Sequence, residues 1–308
     1  MQTEVNIPAP RLDETIAREH VPCNLCGSED RQPFCPENGL GLVQCQNCGL
    51  VYVSPRPVAT ELYALYGETY FRNDESGVVG YTDYIADEIN IRKTSQRRLK
   101  FLERFIQPPG KMLDVGCAAG FFMAEAANRG WHVEGLDVSA FATQYTHERF
   151  GFTTYHGSLT DVNLNGTAYD LITMYDVIEH VPDPKAYMQQ VAKLLRSGGI
   201  YELATPDVGS WPARLTGKRW IGYKLSEEHV YYFSVETLTR MLDEAGFDVV
   251  HVRHIGKYVT LRLFLDRLGV YAPWLSKPLA LVERIFKLSK RSFYVNPFDI
   301  VAITARKR

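Results

Sequence analysis

Apolar residues recur along this chain in short runs bounded by turn residues, with a strand-like rather than helical period. Five such runs read as strands: Met112–Val115, His132–Leu136, Thr153–Tyr155, Asp170–Met174 and Ile200–Ala204. Helical patterns separate most of them, which predicts an α/β fold with a parallel sheet covered on both faces. Phe247–Ile255 and Ile300–Ala305 add a sixth and a seventh strand. Upstream, residues 60–106 read as mostly helical, with the longest helix expected over 82–106. Ile85, Ile89, Leu99, Leu102, Phe105 and Ile106 form its partial apolar face. Arg92, Lys93, Arg97, Arg98, Lys100 and Arg104 form a basic face, expected to be solvated, with contact to a phosphate-bearing substrate as the sharper alternative.

The length of 308 residues suits two domains. The apolar fraction of 45% and charged fraction of 23% are those of a soluble globular protein. A formal net charge of −2 argues against a chain that depends on bulk attraction to nucleic acid. No apolar run reaches membrane-spanning length and the N-terminus lacks a signal-peptide pattern, so a cytoplasmic location is expected. Disulfides are disfavoured there, and six cysteines need another explanation.

Four of them form two knuckles, Cys23-x-x-Cys26-Gly27 and Cys45-x-x-Cys48-Gly49, separated by 18 residues. Two residues between thiolates let one tight turn aim both sulfurs at a single ion, and the glycine lets the backbone close around them. The pattern predicts a closed, structural zinc site. Cys35 is expected to be a bystander. Leu50–Val53 reads as a strand leaving the second knuckle, ended by Ser54-Pro55-Arg56-Pro57. Residues 1–58 are thus expected to form a zinc ribbon, 59–108 a helical linker or lid, and 109–308 the main body.

The body opens with the most informative segment, Lys111-Met-Leu-Asp114-Val-Gly116-Cys117-Ala118-Ala119-Gly120-Phe-Phe. An apolar strand runs into a turn of small residues and then a helix, which lets backbone approach a ligand closely. The second strand ends at Asp137, placed to accept hydrogen bonds from ribose hydroxyls. These motifs resemble class I S-adenosylmethionine-dependent methyltransferases. The stretch Tyr169–Pro184, containing Tyr175-Asp176-Val177-Ile178-Glu179-His180-Val181-Pro182, is similar to the fourth-strand motif of the ubiquinone-methyltransferase-like branch. Leu194-Leu-Arg-Ser-Gly-Gly199 matches the turn before strand five. The resemblance covers residues 65–255 and implies a Rossmann-like sheet of order 3-2-1-4-5-7-6 with the last strand antiparallel. It implies S-adenosylmethionine contacts at Asp114, Gly116, Cys117, Ala118, Gly120, Asp137, Val138, Ser158 and Tyr175. Ala118 replaces the family's usual second glycine, and Ser158 stands where an acid is frequent.

Methyl transfer is an in-line displacement, so the enzyme's main task is positioning. A hydroxyl nucleophile needs a general base, and His180 and His229 are the candidates; each has a packing or orienting role as its alternative. His229 lies in Glu228-His229-Val-Tyr231-Tyr232-Phe-Ser234, similar to an EHxxYFS element of the same branch. Tyr231, Tyr232, Trp211 and Trp220 are candidates for the pocket wall, and His251 and His254 for structural roles. Met174-Tyr175-Asp176-Val177 lacks the Asn/Asp-Pro-Pro-Tyr of enzymes that methylate exocyclic amines of bases. Residues 257–297 read as a helical insertion, and over 258–297 seven basic residues face two acidic ones. A lid or packing element is expected, with peripheral contact to anionic lipid as the alternative. The leading function is O-methylation of a small molecule or glycan, a sugar or related hydroxyl, in surface-glycan or natural-product biosynthesis. RNA methylation using the ribbon, sugar C-methylation and a non-catalytic scaffold are the rivals. The oligomeric state is not legible.

Overall fold

The computed structural model describes all residues except 1–15, 36–40, 73–83, 165, 167, 226–227, 286–287 and 289–290. The N-terminal part contains β1 (Arg18–Glu19), β2 (Arg31–Cys35), β3 (Leu42–Cys45), β4 (Val51–Val53) and β5 (Arg56–Pro57). β2, β3 and β4 are antiparallel neighbours, and β1 pairs with β5. Gly27 and Gly49 close the two knuckles at φ +75° and +77°. Their N–H groups donate to the carbonyls of Cys23 and Cys45 at 2.8 and 2.9 Å. This left-handed turn is one that residues with a Cβ avoid.

Three helices follow: α1 (Ala59–Ala64), α2 (Glu68–Phe71) and α3 (Glu88–Leu102). The helix expected over 82–106 is shorter, and residues 82–83 lie outside the described residues. At its C-terminal end, Phe105 and Ile106 leave the helix to pack with Leu99, Leu102, Met112 and Trp131. The basic face is not simply solvated. Arg92 pairs with Glu88 and Glu125 at 2.8 and 2.7 Å, and Arg97 lies 4.2 Å from the centroid of the Tyr294 ring.

The body then runs β6 (Gly110–Val115), α4 (Phe121–Ala127), β7 (Trp131–Asp137), α5 (Ala140–Phe150), β8 (Thr153–His156) and β9 (Tyr169–Tyr175). It continues α6 (Pro184–Leu194), β10 (Leu195–Pro206), α7 (Trp211–Thr216), β11 (Tyr231–Tyr232) and α8 (Val235–Glu244). It ends β12 (Phe247–Thr260), α9 (Leu261–Tyr271), α10 (Pro273–Ile285) and β13 (Ser292–Lys307). Seven strands pair in the order β8-β7-β6-β9-β10-β13-β12, which is the Rossmann-like 3-2-1-4-5-7-6 arrangement. β13 alone runs antiparallel, pairing with β10 and β12. Leu113, Ile172, Leu203 and Ile303 are fully buried along the central strands, where both faces are covered. Strand order reverses between β6 and β9, and the carboxyl ends there open a crevice for ligand.

Local chemistry fixes the helix starts. Ser139 caps α5 through Ala142 N, and Asp183 caps α6 through Ala186 N with Pro184 in the first turn. Ser234 and Thr237 form a reciprocal capping box on α8.

Two features depart from the expected organisation. β11 adds to the N-terminal sheet as Tyr231 opposite Tyr52 and Tyr232 opposite Val51, so that sheet includes residues of the body. The insertion is also not wholly helical: Lys257–Thr260 pair with Ser292–Val295 as an antiparallel stalk carrying α9 and α10. Tyr258 and Val259 suit a strand, and their ladder continues that of β12 and β13 beyond a bulge after Ile255. On α10, Trp274 and Leu281 are 77% and 60% exposed. Among the described residues, no helix is long and apolar enough to cross a membrane.

Candidate active site

The crevice is built first from the turn after β6. Gly116 and Cys117 donate their N–H groups to the carbonyl of Leu136 at 2.7 and 3.1 Å, tying the turn to β7. Gly116 sits at φ +76°, and an added Cβ would meet Val177 Cγ2 at 2.3 Å. Ala118 is also left-handed, at φ +47°, which explains why glycine is usual at this position in the resembled family. Asp137, at the end of β7, accepts from Ala118 N at 2.9 Å and Ser139 N at 2.8 Å, one to each carboxylate oxygen. Each oxygen keeps acceptor capacity. Asp114 is 4% exposed and accepts from Thr173 Oγ1 at 2.7 Å. Burial pushes its carboxyl up to about 7.

The second wall is the loop after β9. Asp176 is held at φ +56°, a strained conformation for a residue with a side chain. Arg98 of α3 approaches it at 4.0 Å and stacks over Tyr175 at 4.2 Å from the ring centroid. The Tyr175 hydroxyl donates to buried Glu202 at 3.0 Å, so its ring rather than its hydroxyl serves the cleft. His180 lines the cleft, with Nδ1 2.8 Å from the Tyr66 hydroxyl and 2.9 Å from the carbonyl of Glu228. His229 is buried, outside the cleft lining, with its ring edge-on to His180 at 4.5 Å. Burial moves the His180 imidazole down to about 4 and holds His229 well below the ordinary histidine value, so both are neutral at pH 7.

A methyltransferase-domain family profile matches residues 86–252, more than half of the chain. The chain belongs to the class I S-adenosylmethionine-dependent methyltransferases.

The chain is 29% identical over 126 residues to a protein named ubiquinone biosynthesis O-methyltransferase from Cronobacter sakazakii. That match covers 36% of this chain and 49% of the relative, so the chain spans about half of that relative's length. It is 25% identical to a probable S-adenosylmethionine-dependent methyltransferase of Mycolicibacterium smegmatis, covering 56% of this chain and 70% of that one. Among solved structures, an S-adenosylmethionine-dependent methyltransferase from Archaeoglobus fulgidus superposes with a TM-score of 0.51 at 15% identity. The superposition covers 73% of this chain and 99% of that one and carries the fold alone.

The candidate cofactor residues read from the sequence are mostly together. Asp114, Gly116, Cys117, Ala118, Asp137, Val138 and Tyr175 line one cleft. Gly120 and Ser158 do not line it: Gly120 faces Thr146, and the Ser158 hydroxyl bonds Thr160 at 2.9 Å. The donor set fits S-adenosylmethionine. Asp137 retains acceptors for a diol, and a carboxyl raised by burial, as at Asp114, favours a ligand that brings positive charge.

The aromatic wall differs from the sequence expectation. Trp211 is exposed, Trp220 is buried with its Nε1 donating to Asp299 at 3.2 Å, and Tyr231 and Tyr232 belong to the N-terminal sheet. The cleft is walled instead by Tyr63, Tyr66, Tyr70, Phe71 and Tyr84, and Arg98 joins them. The density of tyrosine between 63 and 84 was the available signal. His251 packs on Phe101 and Phe105, and His254 pairs with Asp207 at 3.0 Å, both away from the cleft lining.

The four knuckle cysteines converge, with their sulfurs within 4.8 Å of one another. Cys23 to Cys48 is 3.4 Å and Cys26 to Cys45 is 3.6 Å. Tetrahedral zinc at ~2.3 Å from each thiolate needs sulfurs roughly 3.8 Å apart, so the geometry fits such an ion. The N-terminal part is tied to segments that flank the cleft-lining His180 and Val181. Asn24 Nδ2 donates to Asp183 at 2.9 Å, Arg56 donates to the carbonyl of Pro182 at 2.5 Å, and Val53 N donates to Val230 O at 3.0 Å.

Proposed function

We propose that this chain methylates a hydroxyl of a small ring-shaped acceptor, a sugar or related diol, at the expense of S-adenosylmethionine. The observation that carries the reading is the tyrosine-lined wall facing His180 and Asp176 next to the small-residue turn. Rings stack on aromatic faces, and the half-exposed Asp176 carboxylate and neutral His180 suit hydroxyl hydrogens.

When bound, S-adenosylmethionine supplies an electrophilic methyl group on sulfur. Asp137 is assigned to the ribose hydroxyls, and Asp114 to the charged amino acid end through the turn it supports. Gly116, Cys117 and Ala118 let backbone come close to the donor, with Val138 beside its base. The Tyr175 ring and the tyrosines of α1 and α2 exclude water and hold the acceptor in line. Cys23, Cys26, Cys45 and Cys48 are assigned to a structural zinc ion that fixes the outer side of the His180 loop.

The RNA alternative drew on the basic face of α3. Its Arg92, Arg97 and Arg98 contact Glu125, Tyr294 and Tyr175 of the protein itself, which weakens that support. The test is product analysis with labelled S-adenosylmethionine and separate panels of nucleotide-linked sugars, phenols and RNA. A label retained as a methyl ether on a hydroxylated ring is expected. Transfer confined to RNA or to an amine would sink the reading.

A further inference from the structure

A row of buried polar residues crosses the sheet where apolar ones are expected. Asp114, Thr173, Glu202 and Thr304 are successive register partners on β6, β9, β10 and β13, and each is 4% exposed or less. Asp114 lines the cleft, whereas Glu202 lies behind it. A carboxylate at the centre of a sheet is costly unless it is paired and fully hydrogen-bonded. Glu202 Oε1 accepts from Arg253 Nη2 at 2.8 Å and from the Tyr175 hydroxyl at 3.0 Å. Its Oε2 accepts from Thr304 Oγ1 at 2.6 Å and from Arg253 Nη1 at 3.4 Å. Arg253 and Thr304 already neutralise and satisfy a structural carboxylate. Tyr175 is the additional partner, and of the three it is the one that lines the cleft. Burial holds its phenol well above the ordinary tyrosine value, so the proton stays on the oxygen and is donated.

Tyr175 in turn sets the place of a charge. Its ring is held at the hydroxyl by Glu202 and packs against Phe122 at 5.2 Å, tilted by 58°. The Arg98 guanidinium rests over that ring, 4.2 Å from its centroid. With His180 neutral, Arg98 is the one cation among the described residues that line the cleft. Its Nε is buried without a hydrogen-bond partner, and Asp176 at 4.0 Å is beyond hydrogen-bond distance. Arg98 therefore keeps donors for an anionic group, and S-adenosylmethionine brings one in its carboxylate.

We propose that Glu202 is a positioning residue for methyl transfer. Through the Tyr175 hydroxyl it fixes the ring on which Arg98 rests, and with it the place of the cleft's cation beside the bound donor. Arg253 braces the same network from the far side, with its guanidinium 3.5 Å from the centroid of the Phe101 ring of α3. Glu202 touches neither reactant and acts only through Tyr175. This role depends on the methyl donor and not on which atom accepts the methyl group, so loss of the O-methylation reading leaves it intact.

The test is calorimetry of the full chain with S-adenosylmethionine, so no acceptor is needed. Tyr175→Phe removes the hydroxyl and leaves Glu202 its bonds to Arg253 and Thr304. Glu202→Gln keeps the reach and removes the charge. Each is expected to weaken donor binding about tenfold, the loss of one hydrogen bond to a charged group. The double variant should bind no more weakly than the weaker single one, because both changes break the same chain of contacts. Glu202→Asp keeps the charge for Arg253 but withdraws it from Tyr175 by one methylene, and it takes the place of Glu202→Gln if that variant does not fold. A purely structural Glu202 would lower the melting temperature and leave the donor affinity of the folded chain unchanged, which overturns the proposal. Wild-type affinity in Tyr175→Phe overturns it as well. So does a double variant whose loss is the product of the two single losses, the result for independent sites.

Discussion

Tyr231 lies opposite Tyr52 across an antiparallel pair, their rings stacked at 6.4 Å and 28°. Tyr52 follows the second cysteine knuckle, and Tyr231 lies two residues from His229. The cysteine cluster and the histidine pair are therefore joined through one short ladder. Removing zinc with a chelator, or changing Cys45→Ser, should lower methyl transfer about tenfold or more while changing S-adenosylmethionine affinity little. Calorimetry for the donor beside a turnover assay separates the two, and equal loss of both would count against this coupling.

Asp137 satisfies two buried N–H groups as well as being assigned to the ribose. Asp137→Ala should weaken S-adenosylmethionine binding about tenfold or more, since a hydrogen bond to a charged group contributes ~1.5–3 kcal/mol. Its melting temperature should also fall, because Ala118 N and Ser139 N lose their acceptor. Unchanged affinity in calorimetry would refute the assignment.

Asp114 gives the site a pH dependence. Its carboxyl stands at about 7 in the free protein, above the ordinary carboxylate value, because it is buried. A cationic ligand favours the ionised form and lowers that value on binding. Protons are then released on binding, and affinity rises as pH rises toward 7 and falls below it. The sign for folding is opposite. The free folded protein binds the proton more tightly than the unfolded chain, so this group's contribution to stability declines from pH 4 to 7. Titration calorimetry at pH 6 in buffers of different ionisation enthalpy should detect the released proton, and Asp114→Asn should abolish it.

Ala118 and Gly116 show the two sides of one backbone constraint. Ala118→Gly relieves a left-handed alanine and should stabilise the fold by about 1 kcal/mol. Gly116→Ala should destabilise it, because the new Cβ meets Val177 Cγ2 at 2.3 Å. Val177→Ala in the same chain should recover part of that loss, because the remaining Val177 Cβ contact is 3.5 Å. Denaturant melts of the three variants provide the check.

The sheet was legible because β6, β9 and β10 are largely buried along their central residues and bounded by turns, so their apolar runs stand out. Asp114, Gly116 and Asp137 were legible because a close turn and a strand-end acid leave fixed sequence spacings. The tyrosine wall was harder to read. Tyr63, Tyr66 and Tyr70 lie on or near short helices whose apolar period cannot tell a packed aromatic from one facing a cleft. Arg98 was read with its neighbours as solvated, yet its side chain is 15% exposed, because α3 packs that side against Tyr175. The stalk of β12 and β13 escaped notice because its ladder joins residues on either side of two helices.

The completion of the N-terminal sheet by β11 also bears on how the chain acquires its shape. During synthesis, β2, β3 and β4 emerge long before Tyr231 and Tyr232, and until then β4 has one unsatisfied edge. A contact of such large sequence separation forms late and slows folding. The first strands must therefore wait as an open edge while most of the body is made, and the two knuckles that flank β2 and β3 are well placed to hold them in the interval.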